Sequence, residues 1–232
     1  MEVSVKPGRL VCILSLGAAA GTVPVPVSGP RLARAQAGGL ARSSSAPQDS
    51  VRRGSRAGII PAGFGTLRQD EIAVLVQNLG LQVRAIPLEE NVIRTLSPDS
   101  YKALATLRHS KARQIDSVLS RTGLPSVQAW YLTFFNAEQG EARYDALDVL
   151  LRSGGRDFRP LEVLPLKSGF GDGRLAQRTS QSAVYLFDPA IDLTQPVSLT
   201  IGTQTSTAWT DILQRVDRER SLVWSRAGSG KP

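Results

Sequence analysis

The chain has 232 residues, 41% of them apolar, which is enough material for one sizeable hydrophobic core. Its net charge of +8 sits mostly outside the region able to fold, because residues 57–226 hold 19 basic and 18 acidic side chains and net only +1. A nearly neutral domain offers no broad basic field, which excludes nucleic acid as a partner.

Residues 1–37 read as a secretory signal. Lys6 and Arg9 precede an apolar run at 10–20, and Ala35-Gln36-Ala37 supplies the small residues that a signal peptidase reads. Pro24, Pro26 and Pro30 lengthen the segment before the cut, and Arg31 and Arg34 lie close to it. A retained anchor is the alternative, since no charge falls between Leu10 and Pro30. Cys12, the only cysteine, lies too early in the apolar run for a lipoprotein site and leaves the mature chain without an internal disulfide. The expected location is therefore the periplasm or the outer face of the cytoplasmic membrane.

Residues 38–57 lack hydrophobic periodicity and are rich in Gly, Ser and Arg, so they predict a disordered basic linker. Arg42, Arg52, Arg53 and Arg56 are its candidate contacts with anionic lipid.

Residues 58–226 are expected to form a single β-sandwich domain. Apolar alternation at 72–76 and 81–86 around Gln77-Asn78-Leu79-Gly80 predicts a hairpin, which Pro87 ends. A long amphipathic helix follows over 98–122, with Ser97 as N-cap, Pro98 at the first position and Gly123 as the stop. Tyr101, Leu104, Leu107, Ile115, Val118 and Leu119 form its apolar stripe.

From residue 126 the period changes to two, and strands are expected near 127–135, 144–152, 158–166, 182–187 and 197–202. The run VQAWYLTFF is apolar on both faces, so its second face needs a cover, which the long helix can supply. A short C-terminal helix begins near Thr207 and buries Trp209, Ile212, Leu213 and Val216. Its charges, Asp211, Arg215, Asp217, Arg218, Glu219 and Arg220, read as a solvated face, and 227–232 read as a disordered tail. The fold class is mainly β with flanking helices: an antiparallel immunoglobulin-like β-sandwich with one long helix packed on it.

No catalytic, metal or cofactor constellation emerges. His109 is the only histidine and falls on the polar side of the long helix between Arg108 and Ser110. Gly169-Phe170-Gly171-Asp172-Gly173 lacks the strand-to-helix context and the Lys-Ser/Thr of a phosphate cradle. The loop 167–181 is still the candidate site for a ligand or partner, through Phe170, Asp172 and Arg174. Asp188 and Asp192 fit Asx-capped turns better than a calcium loop. Asp145 with Asp148, and Glu89 with Glu90, are carboxylate pairs without an acid–base partner, and Glu89-Glu90 marks the start of a short helical turn. Trp130, Tyr131, Phe134 and Phe135 read as core rather than as a stacking platform.

On the segments GFGTLRQDEI, IPLEENVIRTLSPDSY and SAVYLFDPAIDL, residues 63–227 resemble uncharacterised exported proteins of bacteria with an immunoglobulin-like sandwich. The resemblance implies that fold but carries no active site, and the cysteine and tryptophan spacing of antibody domains is not met. The function expected is that of a non-enzymatic exported accessory subunit docking on a partner protein or complex. The alternative is a periplasmic module that binds a carbohydrate or other ligand through loop 167–181.

Overall fold

The computed structural model describes residues 58–78 and 80–229, all within one compact unit, Arg53–Pro232. The expected signal at 1–37, the linker 38–57 with its four arginines, and the end of the tail lie outside the described residues.

Mainly antiparallel sheets with a few helices make up the described chain. After a short 3-10 turn, Gln69–Ile72, come β1 (Val74–Asn78) and β2 (Leu81–Pro87), then α1 (Glu90–Ile93), α2 (Pro98–Ser110) and α3 (Ala112–Thr122). β3 (Gln128–Asn136), β4 (Ala142–Arg143), β5 (Val149–Ser153), β6 (Arg156–Phe158), β7 (Glu162–Pro165) and β8 (Arg174–Leu175) follow. The chain continues through β9 (Ser180–Phe187), β10 (Val197–Ile201), β11 (Gln204–Ser206) and α4 (Trp209–Gly228).

One sheet runs β1-β2-β3-β9-β7 and another β11-β10-β5-β6, with β4 and β8 as a separate ribbon. Aromatic and branched side chains suit the pleated, buried strands, and β3, the richest in aromatics, takes the central position. Trp130, Leu132 and Phe134 of β3, Tyr185 and Phe187 of β9, and Leu151 and Leu199 of the second sheet share one core. Trp209 tilts against Trp130 with ring centroids 6.0 Å apart and donates from Nε1 to the Leu193 carbonyl at 3.1 Å.

Several expectations need correction. The predicted helix 98–122 is two helices. Ser110 Oγ turns back to the Leu107 carbonyl at 2.7 Å, and the Lys111 N–H bonds the Arg108 carbonyl, so the ladder tightens and stops. Ser97 occupies the N-cap position without a side-chain cap bond, whereas Gly123 ends α3 in the left-handed conformation expected of it (φ 69°).

The expected strand 158–166 is split between sheets: β6 joins the second, β7 the first, and Arg159-Pro160 carries the crossing. The expected strand 144–152 begins only at Val149, because Asp145 Oδ1 accepts the Leu147 N–H in an Asx turn. The hairpin is shifted: Ile72 ends the 3-10 turn and β1 starts at Val74. The C-terminal helix is 20 residues long and extends through Gly228, past the expected domain end at 226.

Glu219 is also not on a solvated face. It lies 5% exposed on the stripe formed by Trp209, Ile212, Val216 and Val223. Its Oε1 accepts the Thr66 N–H and hydroxyl, each at 2.9 Å, and Arg226 at 2.6 Å, while Arg226 also donates to the Phe64 carbonyl at 2.8 Å. This clamp fastens the entering segment to α4. The same segment passes so close to the end of α1 that a Cβ on Gly65 would lie 2.2 Å from the Thr95 backbone.

Candidate functional site

Strand registers set the outer face of the five-stranded sheet, the face turned away from Trp130 and Phe134. One row across it reads Ile86, Tyr131, Val184 and Leu164. Ile86, Val184 and Leu164 are buried in the same core cluster as Leu104 of α2 and Val118 of α3. Lys111 Nζ donates to the Pro165 carbonyl at 2.8 Å, and Arg121 pairs with Glu162 at 2.5 Å, tying these helices to β7. These are the helices that the sequence offered as a cover for the second face of β3, and the bonds that tie them to the sheet run to β7.

The next row reads Leu75, Arg84, Thr133 and Ser182, and the one after it Gln77, Gln82, Phe135 and Ser180. Here the face is open. Asp70, Leu75, Arg84, Thr133, Phe135 and Ser180 line a concavity of about 430 Å³. Leu75 is 47% exposed beside it. Thr133 Oγ1 and Ser182 Oγ satisfy one another at 3.0 Å. Arg84 has no such neighbour: its Nε is shut off from water without a hydrogen-bond partner among the described residues. None of the ion pairs among the described residues includes it. Asp70, on the rim, is paired with Arg68 at 3.4 Å. Buried donors are nearly always satisfied; two among the described residues are not, Trp130 Nε1 inside the core and Arg84 Nε, and of these only Arg84 borders an open concavity.

The loop residues singled out from sequence do not come together in this way. The ring of Phe170 turns inward, 5.8 Å from Phe134 and 5.9 Å from Tyr144 between centroids. Asp172 and Arg174 remain exposed, and Arg174 faces Glu141 at 3.7 Å. Beneath the loop, the Tyr144 hydroxyl donates to Gln181 Oε1 and accepts the Gly171 N–H. Burial, with a smaller push from Asp172, raises the Tyr144 phenol above its ordinary value. Burial raises Tyr185 further, and its hydroxyl donates to the Ala146 carbonyl at 2.7 Å.

His109 is exposed and, with Arg108 and Asp116, borders a groove of about 420 Å³ along α2 and α3. Among the described residues no three His, Cys, Asp or Glu side chains cluster closely enough to hold a metal. Asp188 and Asp192 cap Asx turns through the Ala190 and Thr194 N–H groups, both at 2.8 Å, as expected. Glu90 opens α1 and pairs with Arg94 at 2.7 Å. The guanidinium of Arg94 is thereby held above its ordinary value, chiefly by that hydrogen bond.

Sequence reasoning placed Arg84 only on the polar side of a hairpin strand. The available signal was a long cation in mid-strand, two residues before Ile86, with no acidic residue at a cross-strand position. Compared with known proteins, the chain matches no family model, no curated protein and no solved structure.

Proposed function

We propose that the chain is a non-enzymatic exported accessory subunit that docks an acidic, extended segment of a partner protein on the open half of its five-stranded sheet. Export rests on the basic, apolar and small-residue pattern of residues 1–37. The two antiparallel sheets around one core support the immunoglobulin-like sandwich as the architectural reading.

One observation carries the docking role: Arg84 Nε, enclosed and without a hydrogen-bond partner among the described residues, beside exposed Leu75 in a concave sheet face. A carboxylate is the group that pairs with guanidinium in a two-pronged fit, and an apolar neighbour on the same segment would cover Leu75 and Phe135. The alternative, a ligand site on loop 167–181, has weaker support, because the one aromatic ring of that loop packs inward.

The test is an array of extended octapeptides, each bearing one Asp or Glu flanked by apolar residues, probed with the full chain. Acidic peptides should bind about tenfold more tightly than their Asn or Gln counterparts, a difference of about 1.4 kcal/mol. Arg84→Gln should remove that preference. Equal binding by Arg84→Gln, or selection of basic peptides, overturns the reading.

A further inference from the structure

The open half of the sheet does not end at Arg84. Gln82, two residues nearer the hairpin turn, lines both the Arg84 concavity and a second one of about 430 Å³, bounded by Gln77, Gly80 and Glu138. Gly80 continues the β2–β3 register, since the Ala137 N–H bonds its carbonyl at 3.1 Å. Buried Asn136 then fixes the next turn of chain. Its Oδ1 accepts the Glu138 N–H at 3.1 Å, while its Nδ2 donates to the Gly140 and Leu175 carbonyls at 2.9 and 3.1 Å. The Glu138 side chain is thereby laid across Gly80, where a Cβ would lie 2.5 Å from Glu138 Cδ. Glu138 is exposed, and none of the ion pairs among the described residues includes it.

A cation and an anion, each without an ion-pair partner among the described residues, thus stand at the two ends of one trough. Four residues of extended chain separate Arg84 from Gly80, a span of about 13 Å. We infer, resting on the docking reading above, that the docked segment carries a basic residue four positions from its acidic one, the carboxylate meeting Arg84 and the cation meeting Glu138. An extended segment advances at the same rise as β2, and its side chains at even spacing point to one side. Positions four apart therefore both face the sheet, while a side chain at three or five turns to solvent. Complementarity at both ends favours such a segment over a uniformly acidic one, which would set a second carboxylate against Glu138.

The probe is a set of extended peptides bearing one Asp, with Lys placed three, four or five residues away on either side, or replaced by Gln. Each is titrated into the full chain at low salt and read by fluorescence anisotropy. Lys at four should tighten binding about threefold over Gln, the scale of an exposed ion pair, and Lys at three or five should give no gain. Glu138→Gln should erase that gain and leave the preference for Asp over Asn intact, because Arg84 is untouched. Glu138→Lys should invert it, so that Glu at the fourth position binds more tightly than Lys. Both variants change an exposed side chain and should leave the fold in place. A gain that survives Glu138→Gln, or no gain at any spacing while Asp is still preferred, overturns the inference and leaves the docking reading standing. Absence of the Asp preference itself, or a dimer that Arg84→Gln dissolves in sedimentation, overturns both.

Discussion

Two places in this domain set an ionisable side chain against apolar packing. On α4, Glu219 accepts from two groups of Thr66 and from Arg226, and Arg226 in turn reaches the Phe64 carbonyl. On β2, Arg84 lies between Leu75 and Thr133 with its Nε enclosed and unpartnered among the described residues. The first network joins residues more than 150 positions apart in sequence and serves cohesion. The second joins nothing. A polar group that closes its own bonds stabilises the fold, whereas one left open costs stability; Trp130 Nε1 is left open inside the core, and Arg84 Nε beside a concavity that another molecule can enter.

The sharpest way to break this contrast is to empty the satisfied site. Glu219→Ala leaves Arg226 and both Thr66 donors without their acceptor, and should lower the unfolding free energy by about 3 kcal/mol, read from the urea midpoint. That is the lower end of the range for buried pairs, because Arg226 remains partly exposed. A loss below about 1 kcal/mol would mean that water replaces the carboxylate and the clamp is ornamental.

Next in size comes the loop that sequence favoured. Phe170→Ala should cost about 2 kcal/mol, some half of the value for a fully buried phenylalanine, since the ring is only partly covered. Asp172→Asn and Arg174→Gln should leave the melting temperature nearly unchanged, as both side chains are exposed. If Phe170→Ala proves neutral, the ring is free to meet a ligand and the loop regains its standing against Arg84.

These cases show where the sequence was legible. Alternating periods placed the hairpin, β3, β9 and β10 close to their observed positions, because a strand with one or two buried faces must write its apolar residues at spacing two. Proline, aspartate and glycine signals marked the helix start, the Asx turns at 188 and 192, and the stop at Gly123. What was not legible depended on partners distant in sequence. Glu219 reads as one more surface charge until Thr66 and Arg226 are seen around it, and Arg84 reads as an ordinary polar-face residue until its cross-strand neighbours are known. The break at Lys111 was hidden for a local reason: the apolar stripe runs on at helical spacing past the point where Ser110 bonds back to Leu107.

Alkaline pH separates satisfied neutral donors from ordinary tyrosines. Tyr144 and Tyr185 ionise in the unfolded chain near pH 10, but burial holds both above that value in the fold. Their contribution is fully present below pH 10 and is lost as pH rises beyond it toward the raised folded values. For Tyr185, the more deeply buried of the two, the unfolding free energy should fall by about 1.4 kcal/mol per pH unit in that window. Tyr185→Phe should flatten the fall seen by thermal unfolding between pH 10 and 11, at the cost of the hydrogen bond to Ala146. An unchanged slope would mean that Tyr185 reaches water before the fold opens.

The smallest stability effect is the most discriminating. Arg84→Met keeps a long apolar stem that can lie along Leu75 and Thr133, and removes a donor that has no acceptor. Replacing an unsatisfied polar group by an apolar one of similar shape is close to neutral or stabilising, so the unfolding free energy should move by less than about 1 kcal/mol. Over the same substitution, selective binding of acidic peptides should disappear. A loss of more than about 2 kcal/mol would instead make Arg84 a packing element whose stem holds β1 against β3, and the open row would lose its motive as a docking face. Only a side chain that contributes little to the fold and much to recognition gives the combination of intact stability and lost binding.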